Sequence, residues 1–299
     1  MPVFECRVEL TPGGVDFVGE VVAAGAETDW TIREDRILGR AWLAGFFASR
    51  AKAMVAWRRL AATLDPGWVI SRPVWRERPD REWKESYKAH FKAWHIGRVH
   101  WAPIWKRSVY RAPRNAVTVW LDPGMAFGTG DHPTTRLCCE RLVAYAGSTI
   151  GQRPPGHGNW AVIDAGCGSG ILAISAARLG LRPVIGFDND LEALRVSRRN
   201  AGLNAASGQV QWCLADLKSG LVGRKAGLVL ANIQADVLVR ARDELMGALL
   251  PGGWLVLGGI LIGELSLVQS AFACVDPKWR ADTRRRGEWA DLLFTRPSR

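Results

Sequence analysis

The chain has 299 residues, with 40 Lys and Arg against 29 Asp and Glu, a formal net charge of +11. Residues 50–114 hold 16 basic and 5 acidic side chains, so this block carries the whole excess, together with seven of the 15 tryptophans. A hydrophobic content of 48% excludes a disordered chain, no apolar run approaches the roughly 20 residues of a membrane span, and Met1-Pro2-Val3-Phe4-Glu5-Cys6 lacks a signal-peptide pattern.

Val3–Leu10 alternates as a strand does, and Thr11-Pro12-Gly13-Gly14 ends it in a turn. An apolar and basic pattern over 38–64 predicts a long helix, stopped by Asp65-Pro66-Gly67. Residues 81–94 predict a second helix, and 99–105 and 116–121 predict strands. From 161 onward, short apolar runs at 161–163, 183–187, 210–214, 228–231 and 254–258 alternate with helical patterns at 171–181, 191–203, 235–250 and 263–272. Arg284-Arg285-Arg286 reads as a solvated turn or a substrate contact, and 289–294 predict a last strand. Such alternation argues for an α/β fold, a mostly parallel sheet with helices on both faces. The expected division is a small α+β domain over 1–75, a basic, Trp-rich linker over 76–115 and a larger α/β domain over 116–299.

The chemistry concentrates in Val162-Ile163-Asp164-Ala165-Gly166-Cys167-Gly168-Ser169-Gly170-Ile171-Leu172. A buried strand ends near an acid, passes through three alternating glycines and enters a helix. Glycine opens backbone angles closed to other residues and lets a ligand approach the main chain. The helix start presents unpaired N–H groups. A second predicted strand ends at Asp188, where a carboxylate can accept both hydroxyls of a ribose. A dinucleotide site would read GxGxxG and a phosphate loop would end in GK[ST], whereas here the spacing is GxGxG after an acid. The carboxylate of Asp164 disfavours a nearby phosphate and suits a ligand carrying a sulfonium and an amino group. That combination points to S-adenosylmethionine, with Asp164, Gly166, Gly168, Gly170 and Asp188 as its candidate contacts. The competing reading is a tight strand–helix turn without a ligand, and the placing of Asp188 argues against it. Asp216, beyond the next strand, is either a contact near the adenine or a turn acid.

Two more segments belong with this turn. Leu228-Val229-Leu230-Ala231-Asn232-Ile233 puts Asn232 at a strand's C-terminal end, where open α/β sheets bind ligands. Asparagine offers an acceptor and two donors, so Asn232 is a candidate to orient an amine nucleophile; the alternative is a helix N-cap. Upstream, the run from Leu121 to Thr135 holds three glycines, two prolines and three threonines around Phe127. It reads as a lid over the cofactor, with Phe127, Gly128 and Thr129 as contacts. His132 within it is either a base or a structural hydrogen-bonding group. The six cysteines show no CxxC spacing, which fits reduced thiols in a cytoplasm and no metal site.

These segments together resemble the PrmA family, which methylates protein eleven of the large ribosomal subunit. The family's LDPGxAFGTGxHPTT stands here as LDPGMAFGTGDHPTT, its DxGCGSGIL as DAGCGSGIL, and its ANI as Ala231-Asn232-Ile233. Gly258-Gly259-Ile260-Leu261 resembles the SGIL that follows. The resemblance runs over about 80–296, including Trp83-Lys84 and Glu288-Trp289, while the first 75 residues depart from it. Ala93 stands where the family has proline, and Asp131 where it often has a hydroxyl residue. What the resemblance implies is a Rossmann-like, seven-stranded class I methyltransferase sheet behind a small N-terminal domain that recognises the protein substrate. By position it also implies cofactor contacts at Thr135, Gly166, Asp188 and Asn232.

The expected reaction moves a sulfonium methyl to a lysine or N-terminal amine by in-line displacement, without a metal. The amine must first lose its proton, because a pKa near about 10.4 leaves under about 0.1% of lysine neutral at pH 7. A neighbouring positive charge and a dry channel lower that pKa. Asn232 then serves as the catalytic residue by placing the nitrogen. One rival is methylation of RNA, held through the basic, Trp-bearing 50–114 segment; against it stands a basic surface whose tryptophans pack inward. A non-catalytic binding module is a second rival, disfavoured by intact Asp164, Asp188 and Asn232. The basic block also repels a lysine-rich acceptor unless acidic side chains surround the target.

Overall fold

In the computed structural model the described residues are 3–24, 30–35, 39–78, 91–122, 130–148, 160–273 and 279–298. The chain divides into two units, Met1–His90 and Phe91–Arg299.

The first unit runs β1 (Val3–Leu10), α1 (Gly14–Ala24), β2 (Trp30–Asp35), β3 (Arg40–Phe47), α2 (Arg50–Ala61) and β4 (Val74–Arg78). Its sheet order is β2-β3-β1-β4 with every pair antiparallel, the βαββαβ arrangement of ferredoxin-like folds. Cys6, Val8, Val18, Leu43, Ala53 and Leu60 fill its core. The long helix predicted over 38–64 is therefore a strand followed by a shorter helix. Arg40–Phe47 lies between β1 and β2, and Gly45 carries the Trp30 ring so closely that a Cβ would come within 2.6 Å of it. The Ser49 hydroxyl accepts the Lys52 N–H at 3.3 Å, so the helix starts only there.

The second unit opens with β5 (Trp94–Ile96), β6 (Val99–Pro103) and β7 (Val117–Leu121), where β5 and β6 are antiparallel and β6 and β7 parallel. The basic stretch from Phe91 on thus builds part of this unit. Most of the helix predicted over 81–94 falls outside the described residues, and Trp94 belongs to a strand. Its ring stacks on its hairpin partner Trp101 at 4.2 Å. Next come α3 (Pro133–Gly147), β8 (Ala161–Ala165), α4 (Ile171–Arg178), β9 (Val184–Asp188), α5 (Leu191–Leu203), β10 (Val210–Leu214) and α6 (Leu217–Leu221). The chain continues as β11 (Ala226–Asn232), α7 (Ala235–Arg240), α8 (Arg242–Gly247), β12 (Leu249–Leu261), α9 (Leu265–Ala273), β13 (Arg280–Arg286) and β14 (Trp289–Thr295). The helix predicted over 235–250 is split at Ala241, and its last residues are taken into β12, where Leu249 pairs with Ala226.

The large sheet has the order β10-β9-β8-β11-β12-β14-β13, parallel except for β14, which is antiparallel to both neighbours. This is the seven-stranded Rossmann-like sheet expected from the sequence. The strand order reverses between β8 and β11, the position at which such sheets bind ligands. β8 is buried along its whole length, as a strand covered on both faces must be. Trp101, Leu142, Tyr145 and Ile174 belong to the apolar layer on one face, and Phe187, Leu238, Leu245 and Phe272 to that on the other.

The stretch containing Arg284-Arg285-Arg286 is a correction: it forms edge strand β13, paired to β14 along its length. Arg284 and Arg286 reach Glu140 of α3 at 3.6 and 2.5 Å, and a charged edge of this kind resists pairing with other chains. Arg141, on the same helix, is 1% exposed. Its guanidinium donates to both oxygens of the fully buried Asp291 at 2.9 and 2.8 Å, and to the Asp282 carboxylate. The described tryptophans of the basic block pack inward, Trp57, Trp68 and Trp75 in the first unit and Trp94, Trp101 and Trp105 in the second, while Trp83 lies outside the described residues. No helix among the described residues is long and apolar enough to cross a membrane.

Removing one partner of a buried ion pair leaves an uncompensated charge, at roughly 3–5 kcal/mol. Arg141→Leu should therefore lose about that much in urea unfolding, and Arg141→Leu with Asp291→Leu should recover most of it. A double variant no more stable than the single one would remove the pair's role.

Candidate active site

Between β8 and α4 the chain turns through Gly166, Gly168 and Gly170, all at positive φ. At Gly166 the need is also steric: a Cβ would stand 2.6 Å from Ile233 Cγ2. The N–H groups of Gly166 and Cys167 both donate to the Phe187 carbonyl at 2.9 Å. Gly168 N–H donates to Asp188 Oδ2 at 2.9 Å, so the turn is tied to the end of β9. The Ser197 hydroxyl donates to the Gly168 carbonyl at 2.7 Å and the Asn200 amide to the Ser169 carbonyl at 2.9 Å. Asn200 Oδ1 in turn accepts the N–H of Asp122, just past β7, at 2.9 Å.

The three acids occupy different environments. Asp164 is 1% exposed and accepts the Ala173 N–H at 2.9 Å. Burial pushes its pKa up to about 7, and the charge of Asp188 adds to the rise. Asp188 accepts the Gly168 N–H on one oxygen and the Asp190 N–H, at 3.0 Å, on the other. Asp216 caps α6: its Oδ1 accepts the Ser219 N–H at 2.7 Å and hydroxyl at 2.5 Å. The Ser219 hydroxyl bond holds the Asp216 carboxyl below the usual range. Asp216 is thus a turn acid in structure that also lines the cleft.

That cleft, of about 320 Å³, lies at the C-terminal ends of β8, β9, β10 and β11. Gly166, Asp188, Ala215, Asp216 and Ile233 line one side, and Val237, Arg240 and Glu244 close the other. The last three were not anticipated from the sequence. Their spacing marks one face of the helix predicted over 235–250, and two charged residues on it read equally well as a solvated face.

Asn232 ends β11, one residue from the Ile233 side chain that meets the glycine turn. Its Nδ2 donates a long hydrogen bond, 3.5 Å, to Oγ1 of the fully buried Thr135 in the first turn of α3. Its Oδ1 is buried without a hydrogen-bond partner among the described residues. An unmet buried acceptor costs roughly 1–3 kcal/mol, which marks a place for a ligand donor. The N-cap alternative fails, because Gln234 occupies that position for α7. Gly258 leaves the space, since a Cβ there would stand 2.8 Å from Asn232 Oδ1. His132 lies 2.8 Å from the Thr134 hydroxyl and edge-on to Trp289 at 4.8 Å, and burial lowers its pKa. Those contacts give it a structural role. Phe127, Gly128 and Thr129 lie outside the described residues.

The donor set fits an adenosyl ligand with a cationic centre. The glycine turn carries no Lys or Arg, a carboxylate stands at the end of each of β8 and β9, and apolar side chains flank the loop after β10. Because folding raises the Asp164 pKa, its stabilising contribution is complete below about pH 4 and is lost as the pH rises towards about 7. Asp164→Asn should therefore lose less unfolding free energy than wild type between pH 5 and 7, read by urea titration without ligand. Identical pH profiles would assign the titration elsewhere.

The family model described as Ribosomal protein L11 methyltransferase (PrmA) matches residues 21–297, which carries the likeness well into the first unit. A ribosomal protein L11 methyltransferase of Pelobacter propionicus is 41% identical over 236 residues, 78% of this chain and 73% of that protein. One of Syntrophotalea carbinolica is 39% identical over 251 residues, 83% of this chain and 76% of that protein. The crystal structure of a ribosomal protein L11 methylase from Lactobacillus delbrueckii subsp. bulgaricus superposes with a TM-score of 0.57 at 28% identity, covering 68% of this chain and 96% of that one. The chain belongs to the ribosomal protein L11 methyltransferase (PrmA) family and is an S-adenosylmethionine-dependent methyltransferase.

Proposed function

We propose that the enzyme methylates lysine or N-terminal amines of ribosomal protein L11. The observation that carries this reading is the buried, unpartnered Asn232 Oδ1 at the C-terminal edge of the sheet. S-adenosylmethionine supplies the methyl group on a sulfonium, a centre open to in-line attack by nitrogen. Asp188 takes the ribose hydroxyls, Gly166, Gly168 and Gly170 let the main chain approach, and Asp164 balances the cationic amino-acid end. Asp216, Phe127, Gly128 and Thr129 complete the cofactor contacts. Asn232 Oδ1 accepts an N–H of the neutral acceptor amine, leaving the nitrogen lone pair free to face the methyl carbon. Thr135 holds the Asn232 amide in that rotation. Orientation of two reactants in this way supplies much of the rate.

The relatives' names support the substrate. The ferredoxin-like first unit is the recognition element for the protein, and the reaction belongs to the cytoplasm, consistent with five free cysteines among the described residues. RNA as methyl acceptor is the weaker reading, because the described tryptophans of 50–114 pack inward rather than offering stacking platforms. RNA keeps a place as a contact through that basic segment.

Tritium transfer from labelled cofactor should appear in purified protein L11 and not in ribosomal RNA; the reverse pattern would overturn the assignment. Asp188→Ala should abolish cofactor binding in calorimetry and also lower the thermal melt, because the Gly168 and Asp190 N–H groups lose their acceptor, whereas unaltered affinity would move the ribose elsewhere. Asn232→Ala should lower turnover at least tenfold while cofactor affinity changes less. Equal losses in both would reduce Asn232 to a cofactor contact.

A further inference from the structure

The strip 91–121 carries Lys92, Arg98, Lys106, Arg107, Arg111 and Arg114 and no acidic residue. Part of it lines a second cavity, of about 250 Å³, with Arg107, Thr118 and Trp120 on one side and Arg178 and Asn204 on the other. This cavity sits at the C-terminal ends of α4 and α5. Those helices run against the parallel strands, so it lies towards the sheet edge opposite the cofactor cleft.

Trp120 is half-buried and held in place. Its backbone N–H donates to Asn204 Oδ1 and its backbone carbonyl accepts from Asn204 Nδ2, both at 2.7 Å, which fixes the main chain at this position. The Arg107 guanidinium lies over one face of the Trp120 ring, 5.8 Å from its centroid, and Tyr110 meets that ring edge-on at 6.1 Å, so a nucleobase would take the other face or the place of the guanidinium once a phosphate draws it away. Arg107 and Arg178 are exposed and have no carboxylate partner among the described residues. Helix C-termini attract cations by themselves, and that accounts for Arg182, which donates to the Ala177 and Leu181 carbonyls at 2.9 and 2.7 Å. It does not account for Arg107, which belongs to neither helix, nor for the aromatic wall.

We propose that this cavity binds a segment of single-stranded RNA, with a base against Trp120 and phosphates on Arg107 and Arg178. Basic side chains beside a half-buried aromatic ring meet both parts of a nucleotide, the anion and the π-face. An acidic peptide would use the charge and leave the ring idle. The choice of RNA over DNA rests on the reading above that the methylated protein is a ribosomal component, which works beside RNA.

The test is fluorescence anisotropy of the intact enzyme with a labelled twelve-nucleotide oligouridylate. Binding should weaken steeply between about 50 and 200 mM salt. Arg107→Ala with Arg178→Ala should lower the affinity tenfold or more and flatten the logarithmic salt slope by about 1.4. Trp120→Leu should weaken binding roughly five- to hundredfold, with retained cofactor affinity as the check that it folds. Wild-type affinity in the arginine variant would overturn the site. Equal binding of oligothymidylate would overturn the choice of RNA, and equal binding of polyglutamate would overturn the role of the ring. Methyl transfer to protein L11 is scored separately on the same proteins and should stay at the wild-type rate in the arginine variant. Failure of the substrate reading would then show as absent transfer with RNA binding intact.

Discussion

The buried guanidinium of Arg141 fixes the position of the helix on which the active site depends. It reaches Asp291 of β14 with two hydrogen bonds and Asp282 of β13 with two more, to its carboxylate and its carbonyl. The helix it anchors packs on β11, β12, β13, β14 and α4 and carries Thr135 in its first turn. A fork of fixed planar donors resists rotation in a way a single lysine contact does not. The axial register of α3 against the antiparallel strand therefore sets where the Thr135 hydroxyl meets the Asn232 amide. An interaction remote from the end of β11 thus governs the Thr135–Asn232 contact there, one residue from the Ile233 wall of the cleft.

The strand–glycine–helix turn was legible because every residue in it obeys a strong local constraint. Three positive-φ glycines, a buried strand and an acid at its end leave few alternatives, and Asp188 lands where the next parallel strand stops. The stretch 38–64 was misread because Ala, Leu, Phe and Trp satisfy a helical period and a buried strand equally well. Pairing of Arg40–Phe47 with both β1 and β2 decided it, and that is a non-local fact. Only Ser49, as an N-cap, carried a local sign of the break. The arginines of β13 misled in the opposite sense. Their charge suggested solvent, yet an edge strand has one ladder to fill and can keep charges on its open side. Val237, Arg240 and Glu244 stayed hidden because one apolar and two charged residues spaced along a helical pattern do not say which of them faces a cleft.

Charge is distributed unevenly between the two edges of the large sheet. At the cofactor edge the glycine turn is flanked by Asp164 and Asp188 and carries no basic residue of its own. Towards the opposite edge lie Arg107 and Arg178 and a strip without acids. An amine acceptor approaching the first edge meets Asp188 and Asp216 together with Lys218 and Arg240, while Arg107 and Arg178 act from the opposite edge. The part of the basic strip that lies at the opposite edge is screened from the acceptor, since interactions weaken beyond about 8–10 Å at physiological salt.

Gly166 and Gly259 grip Ile233 from two sides. A Cβ on the first would meet its side chain at 2.6 Å, and on the second its carbonyl oxygen at 2.3 Å. One jaw of the cofactor cleft is consequently closed to added bulk: no side chain can replace Gly166 or Gly259 without displacing Ile233 or the turn itself. The other jaw is made of side chains on the two short helices after β11, and these are replaceable one at a time. A catalyst adapted to bulkier sulfonium donors has to be sought there, by trimming Val237 or Glu244, with the Ile233 wall serving as the fixed reference surface.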